Sequence, residues 1–124
     1  KRAEFWDEVS PRVSMIFSWN FARNIEIATA YGDAIEPMSD EELTGQTNDQ
    51  FDENLRACNV ALHKYGPYLS VRFVKSFTNY VNYAANASMA MPSKAIHDEN
   101  LRLYSLVISD AASDLGLRPI TPLN

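Results

Sequence analysis

Cysteine is almost missing from this chain. Cys58 stands alone, so no intramolecular disulfide and no thiolate zinc set are available, and a reducing compartment is favoured. Glycine is scarce too: the four residues fall at predicted helix ends or in a loop, which excludes a glycine-rich phosphate cradle. No apolar run approaches the roughly 18 to 20 residues that cross a bilayer, and no stretch alternates as a strand does. Bases are outnumbered, 11 Lys and Arg against 16 Asp and Glu, and the net charge of -5 argues against a nucleic-acid binder. What is present is helix-forming: 124 residues, 46% of them apolar, enough for one domain with its own core.

The stretch 67–91 organises the reading. Leu69, Phe73, Phe77, Tyr80, Ala84, Ala87 and Met91 recur at spacings of three and four, one stripe of a helix that Val71, Val74, Val81 and Ala85 widen. Opposite lie Arg72, Lys75, Asn79, Asn82 and Asn86, a polar line that starts cationic and ends in amides. Residues 2–31 form the first helix, with Val13, Ile16, Phe17, Phe21, Ile25 and Ala28 as its apolar face. Ser10-Pro11 reads as an N-cap with proline at N1, so its main segment starts there unless one kinked helix runs through. Asn20 and Asn24 are the polar residues expected near its core.

Thr47 with Gln50 makes a capping box ahead of a helix over 47–65, whose stripe is Phe51, Leu55, Cys58, Leu62 and Tyr65. Gly66-Pro67 predicts a tight reversal, glycine in the left-handed C′ position and proline at N1 of the next helix. Pro92-Ser93 ends that helix and caps a last one over 93–115, with Ile96, Leu101, Tyr104, Ile108, Ala111 and Leu115 facing the core. The expected fold is all-α: a single domain over 1–124, an up-down four-helix bundle with helices two, three and four as antiparallel neighbours. A long acidic loop joins helices one and two, and an extended tail, LRPITPLN, follows helix four.

That loop, 32–46, contains Pro37, Gly45 and a second capping-box pattern, Ser39 with Glu42, which predicts one helical turn inside it. Charge is segregated around it. From 33 to 53 the chain has acids at Asp33, Glu36, Asp40, Glu41, Glu42, Asp49, Asp52 and Glu53 and no base. From 54 to 97 it has bases at Arg56, Lys64, Arg72, Lys75 and Lys94 and no acid. The pentapeptide DENLR occurs twice, at 52–56 and 98–102, and the caps Thr47 and Ser93 share its 46-residue offset. Each copy predicts a core leucine beside an Asp-to-Arg pair at i, i+4.

Chemistry is hard to assemble. Neither His63 nor His97 has a carboxylate three residues before it, as bundle metal sites require, and His97, Asp98 and Glu99 fan around the helix rather than converge. Cys58 and His63 are five apart, nearly half a turn from facing each other, which is poor for a nucleophile and base. No catalytic residue, metal ligand or cofactor is assigned.

The reading is therefore a non-enzymatic protein-interaction module that binds a protein partner or itself. Its candidate surface is Arg72, Lys75, Asn79, Asn82 and Asn86, together with Phe5 and Trp6, aromatics at the chain's start that either cap the bundle or belong to an interface. The alternative is a bundle that binds a small apolar or amphipathic ligand in a pocket lined by Asn20, Asn24, Ala84 and Ala87. Residues 61–69, ALHKYGPYL, and the aromatic helix after them resemble one hairpin of helical domains that follow a membrane anchor in bacterial proteins. The resemblance implies a tether ahead of Lys1, at the cytoplasmic face of a membrane; Lys1-Arg2 is the kind of pair that flanks such a helix. A second form of the module is an antagonist or immunity-type protein, small and acidic, that occludes a basic partner.

Overall fold

A computed structural model describes residues 1–29 and 38–116. Residues 30–37, with Asp33, Glu36 and Pro37 of the predicted loop, and the tail 117–124 lie outside the described residues. Among those described the protein is all-helical: α1 (Arg2–Thr29), α2 (Asp40–Thr44), α3 (Asn48–Tyr65), a 3₁₀ turn (Gly66–Tyr68), α4 (Val71–Ala87) and α5 (Lys94–Asp114). None of these helices is long and apolar enough to cross a membrane.

Local signals explain most helix starts. Thr47 accepts from the Gln50 amide while Gln50 reaches back to the Thr47 amide, so the box that opens α3 is complete. Ser93 caps α5 through Ile96, and Ser39 caps α2 through Glu42. α2 is the predicted turn in the acidic connection, closed by Gly45 in the left-handed conformation (φ 71°).

At Ser10-Pro11 the continuous helix holds, as the bounds 2–31 expected, and the start at Gly66-Pro67 is corrected. Ser10-Pro11 does not begin a helix; α1 runs through it unbroken. Pro11 is exposed, so its missing N–H costs only a solvent-side bond, while Phe5, Val9, Val13 and Ile16 hold one buried stripe on both sides of it. Gly66 is right-handed (φ -47°), and 66–68 form a 3₁₀ turn, so α4 starts four residues after Pro67, capped by Ser70. It also stops at Ala87, which leaves Met91 beyond its end and 87% exposed, while Val71, its first residue, is 86% exposed; neither is in the core.

α1 packs along α3 on one side and α5 on the other, and α5 also carries α4. α3 and α4, consecutive in the chain and expected as close neighbours, meet only sparingly. Large rings stand between the backbones instead. Phe5, fully buried, lies edge-on to Tyr65, Phe73 and Phe77 at 5.9, 5.7 and 5.3 Å. Such pairs add about 0.5–1.5 kcal/mol each beyond the area they bury. Trp19, outside the predicted stripe, is buried and stacks on Phe51 at 4.9 Å.

The face of α5 is shifted from the prediction. Val107, Asn100, Asp110 and Ala111 are buried, whereas Leu101 and Ile108 are each 38% exposed. The DENLR copies follow suit: Asn54 and Asn100 are buried, and the ion pairs are Glu53–Arg56 and Glu99–Arg102 at i, i+3. Asp98 pairs with Lys94.

Candidate functional site

The polar line predicted on 67–91 lies on α4, and its first half borders a groove against α5. Arg72, Lys75, Ser76 and Asn79 on one side and Leu103, Leu106 and Asp110 on the other enclose about 190 Å³. The Arg72 Nε donates to Asp110 Oδ1 at 2.9 Å, with Arg72 largely exposed and Asp110 only 7% exposed. Asp110 thus holds the guanidinium and offsets its charge, so the free cation of this rim is Lys75, which makes no ion pair among the described residues. Leu103 and Leu106 form an apolar floor beside the Lys75 ammonium and the Asn79 amide. Asn82 and Asn86 continue the line one and two turns on; both are exposed and make no side-chain hydrogen bond among the described residues.

Phe5 and Trp6 part company. Phe5 is core, as its ring contacts require, and is removed from the candidate surface; Trp6 is half-buried against Phe73 at 6.2 Å. They cap the aromatic end of the core.

The four residues proposed to line a ligand pocket form a bonded seam. Asn20 and Asn24 are fully buried: Asn20 Nδ2 donates to the Ala84 carbonyl at 3.2 Å, Asn24 Nδ2 to the Asn20 carbonyl at 2.6 Å, and Asn24 Oδ1 accepts from the Ser93 amide at 2.9 Å. These bonds run from α1 to the last turn of α4 and to the residue that caps α5. Sequence reading missed the residue between them. Arg23 is 8% exposed and donates to Asp40 Oδ1 at 2.9 Å, the Ala87 carbonyl at 3.1 Å and the Ala90 carbonyl at 3.1 Å. One guanidinium joins α1, α2 and the end of α4. Its spacing of three from Asn20 was the available signal.

A second cleft, about 410 Å³ between α1 and α3, is lined by Arg12, Met15, Asp49, Gln50, Glu53 and Asn54. It contains none of the predicted residues, and Arg12 there donates to Asn54 Oδ1 at 3.1 Å.

Groups with catalytic potential are occupied elsewhere. Burial pushes the Cys58 thiol up to about 12, against a smaller lowering by Arg12. It also raises the Tyr80 phenol, which donates to Asn100 Oδ1 at 3.3 Å. His63 is exposed, its Nδ1 against the Asn59 carbonyl of its own helix at 2.8 Å. No cluster of three His, Cys, Asp or Glu side chains able to hold a metal ion occurs among the described residues.

Compared with protein-family models, curated proteins and solved structures, the chain finds no match.

Proposed function

We propose that the chain is a non-enzymatic protein-interaction module, an up-down four-helix bundle that docks an acidic segment of a partner protein on the α4–α5 groove. The observation that carries this reading is the groove itself. Arg72, Lys75 and Asn79, singled out from periodicity alone, border one cleft with Leu103 and Leu106. Helix-in-groove recognition uses this combination, apolar anchors on a floor and charges on the rim that set orientation.

The up-down arrangement is supported by which ends meet. Phe5 at the start of α1 lies against Tyr65 at the end of α3, and Asp114 at the end of α5 accepts from the Ser70 amide at the start of α4. A non-enzymatic role is supported by the state of the nucleophile candidate, since a thiol held protonated inside the core is a poor nucleophile at neutral pH.

A photo-crosslinking residue placed at Leu106, 43% exposed, tests the reading in the native cell. The expected product is an adduct whose partner peptide is acidic, weakened strongly by Lys75→Glu with Asn79→Glu in a protein of unchanged helicity. No adduct, or one indifferent to both changes, would sink the proposal; an adduct of twice the chain mass would name a second copy as the partner.

A further inference from the structure

The opposite end of the molecule carries a surface of different character. Arg23 ties Asp40 to the carbonyls of Ala87 and Ala90, and Asn24 holds the Ser93 amide. Four large apolar residues flank these bonded groups in the chain: Met38, two residues before Asp40; Met89 and Met91, on either side of Ala90; and Ile27, one turn beyond Arg23. They are 45%, 81%, 87% and 42% exposed. Isolated exposed apolar residues are ordinary; four large ones beside the same three-way junction are not.

Among the described residues, the charge near the tip that lacks an ion-pair partner is acidic. Glu26, Glu41 and Glu42 are exposed and make no ion pair among the described residues. The nearby cations are engaged, Arg23 with Asp40 and Lys94 with Asp98 at 2.8 Å. Methionine is unbranched and polarizable and repacks around differently shaped partners. Carboxylates around it favour cations and repel an anionic lipid surface.

We propose that this methionine tip docks a cationic amphipathic helix of a partner protein, its apolar face on Met38, Met89 and Met91 and its Lys or Arg side chains against Glu26 and Glu41. This is a second surface, distinct in place and in charge preference from the α4–α5 groove. The two fit partners of opposite sign.

A synthetic 18-residue helical peptide of Leu and Lys at amphipathic spacing serves as the probe, titrated against the whole chain by calorimetry at two salt concentrations. The wild-type protein is expected to bind it, more weakly at high salt. Met89→Ser with Met91→Ser, both on exposed positions, should lower affinity about tenfold or more. Glu26→Lys with Glu41→Lys should lower it as well, and Lys75→Glu in the groove should not. Circular dichroism confirms that each variant is folded. Unchanged affinity in the methionine variant overturns the proposal, even if charge reversal weakens binding, because the attraction is then only ionic. A wild-type dimer in sedimentation that the methionine changes dissolve also overturns it, by making a second copy the occupant.

Discussion

The guanidinium of Arg23 on α1 closes the end of α4, donating to the carbonyl of Ala87, that helix's last residue, at 3.1 Å. The last carbonyls of a helix have no partner within it, and here an arginine from a neighbouring helix supplies one. Arg23→Met should therefore destabilise the fold by about 1–3 kcal/mol, because it takes the donor from the Ala90 carbonyl and the ion pair from Asp40, while the Ala87 carbonyl keeps the Ala90 amide at 3.2 Å. Arg23→Lys should recover less than half of that, since an ammonium cannot serve three acceptors in a fork. Asp40→Asn should cost at most about 1 kcal/mol, as Asp40 is 39% exposed. Urea unfolding of the three variants checks the order; equal losses for all three would contradict it.

The amides of α4 make the reverse prediction. Asn79, Asn82 and Asn86 are exposed, and asparagine is a weak helix former. Replacing each by alanine should raise stability by about 0.3–0.6 kcal/mol. A combined loss above about 1 kcal/mol in thermal or urea unfolding would mean that the amides have partners within the fold.

In the repeated DENLR segments the load falls on asparagine. Asn100 is 1% exposed, accepting from Tyr80 and donating to the Phe17 carbonyl at 3.4 Å. Asn54 sits at the matching position of α3 and accepts from Arg12. Asn100→Ala should cost about 1–3 kcal/mol and Leu101→Ala less than about 1 kcal/mol. A double-mutant cycle of Asn100→Ala with Tyr80→Phe should return a coupling of about 0.5–1.5 kcal/mol. A costlier Leu101→Ala would restore leucine as the buried member.

These cases show what was legible. Caps depend on three or four adjacent residues, so Thr47, Ser93 and Ser39 were readable, as was the stripe from Phe73 to Ala87. Periodicity equates apolar with buried and polar with wet. It therefore misplaced Leu101 and Ile108, and it gave no warning that Arg23, Asn100 and Asp110 are inside, held by partners on other helices. The groove needed both: its α4 rim was legible, whereas Leu103, Leu106 and Asp110 entered only through packing. The sparing contact of α3 with α4 was hidden because the short link through Gly66-Pro67 says that two helices reverse, not how far apart rings will hold them.

Cys58 sets a pH limit. Its thiol titrates near 9 in the unfolded chain and is pushed up to about 12 by burial, so between those values the unfolded state has released a proton that the folded state keeps. Fewer protons bound when unfolded means that stability falls as pH rises. The contribution is complete below about pH 9 and declines toward about pH 12, by at most about 1.4 kcal/mol per pH unit. Tyr80, also raised by burial, should steepen the decline above its ordinary value of 10. Urea midpoints from pH 7 to 11 for wild type and Cys58→Ala check this. The variant starts lower because it leaves a small cavity, but its profile should fall less between pH 9 and 10 than that of the wild type. Parallel profiles would place the thiol in contact with solvent. A thiol reagent at pH 8 gives the same discrimination by rate: modification should be slow in buffer and accelerate in step with unfolding as urea is added.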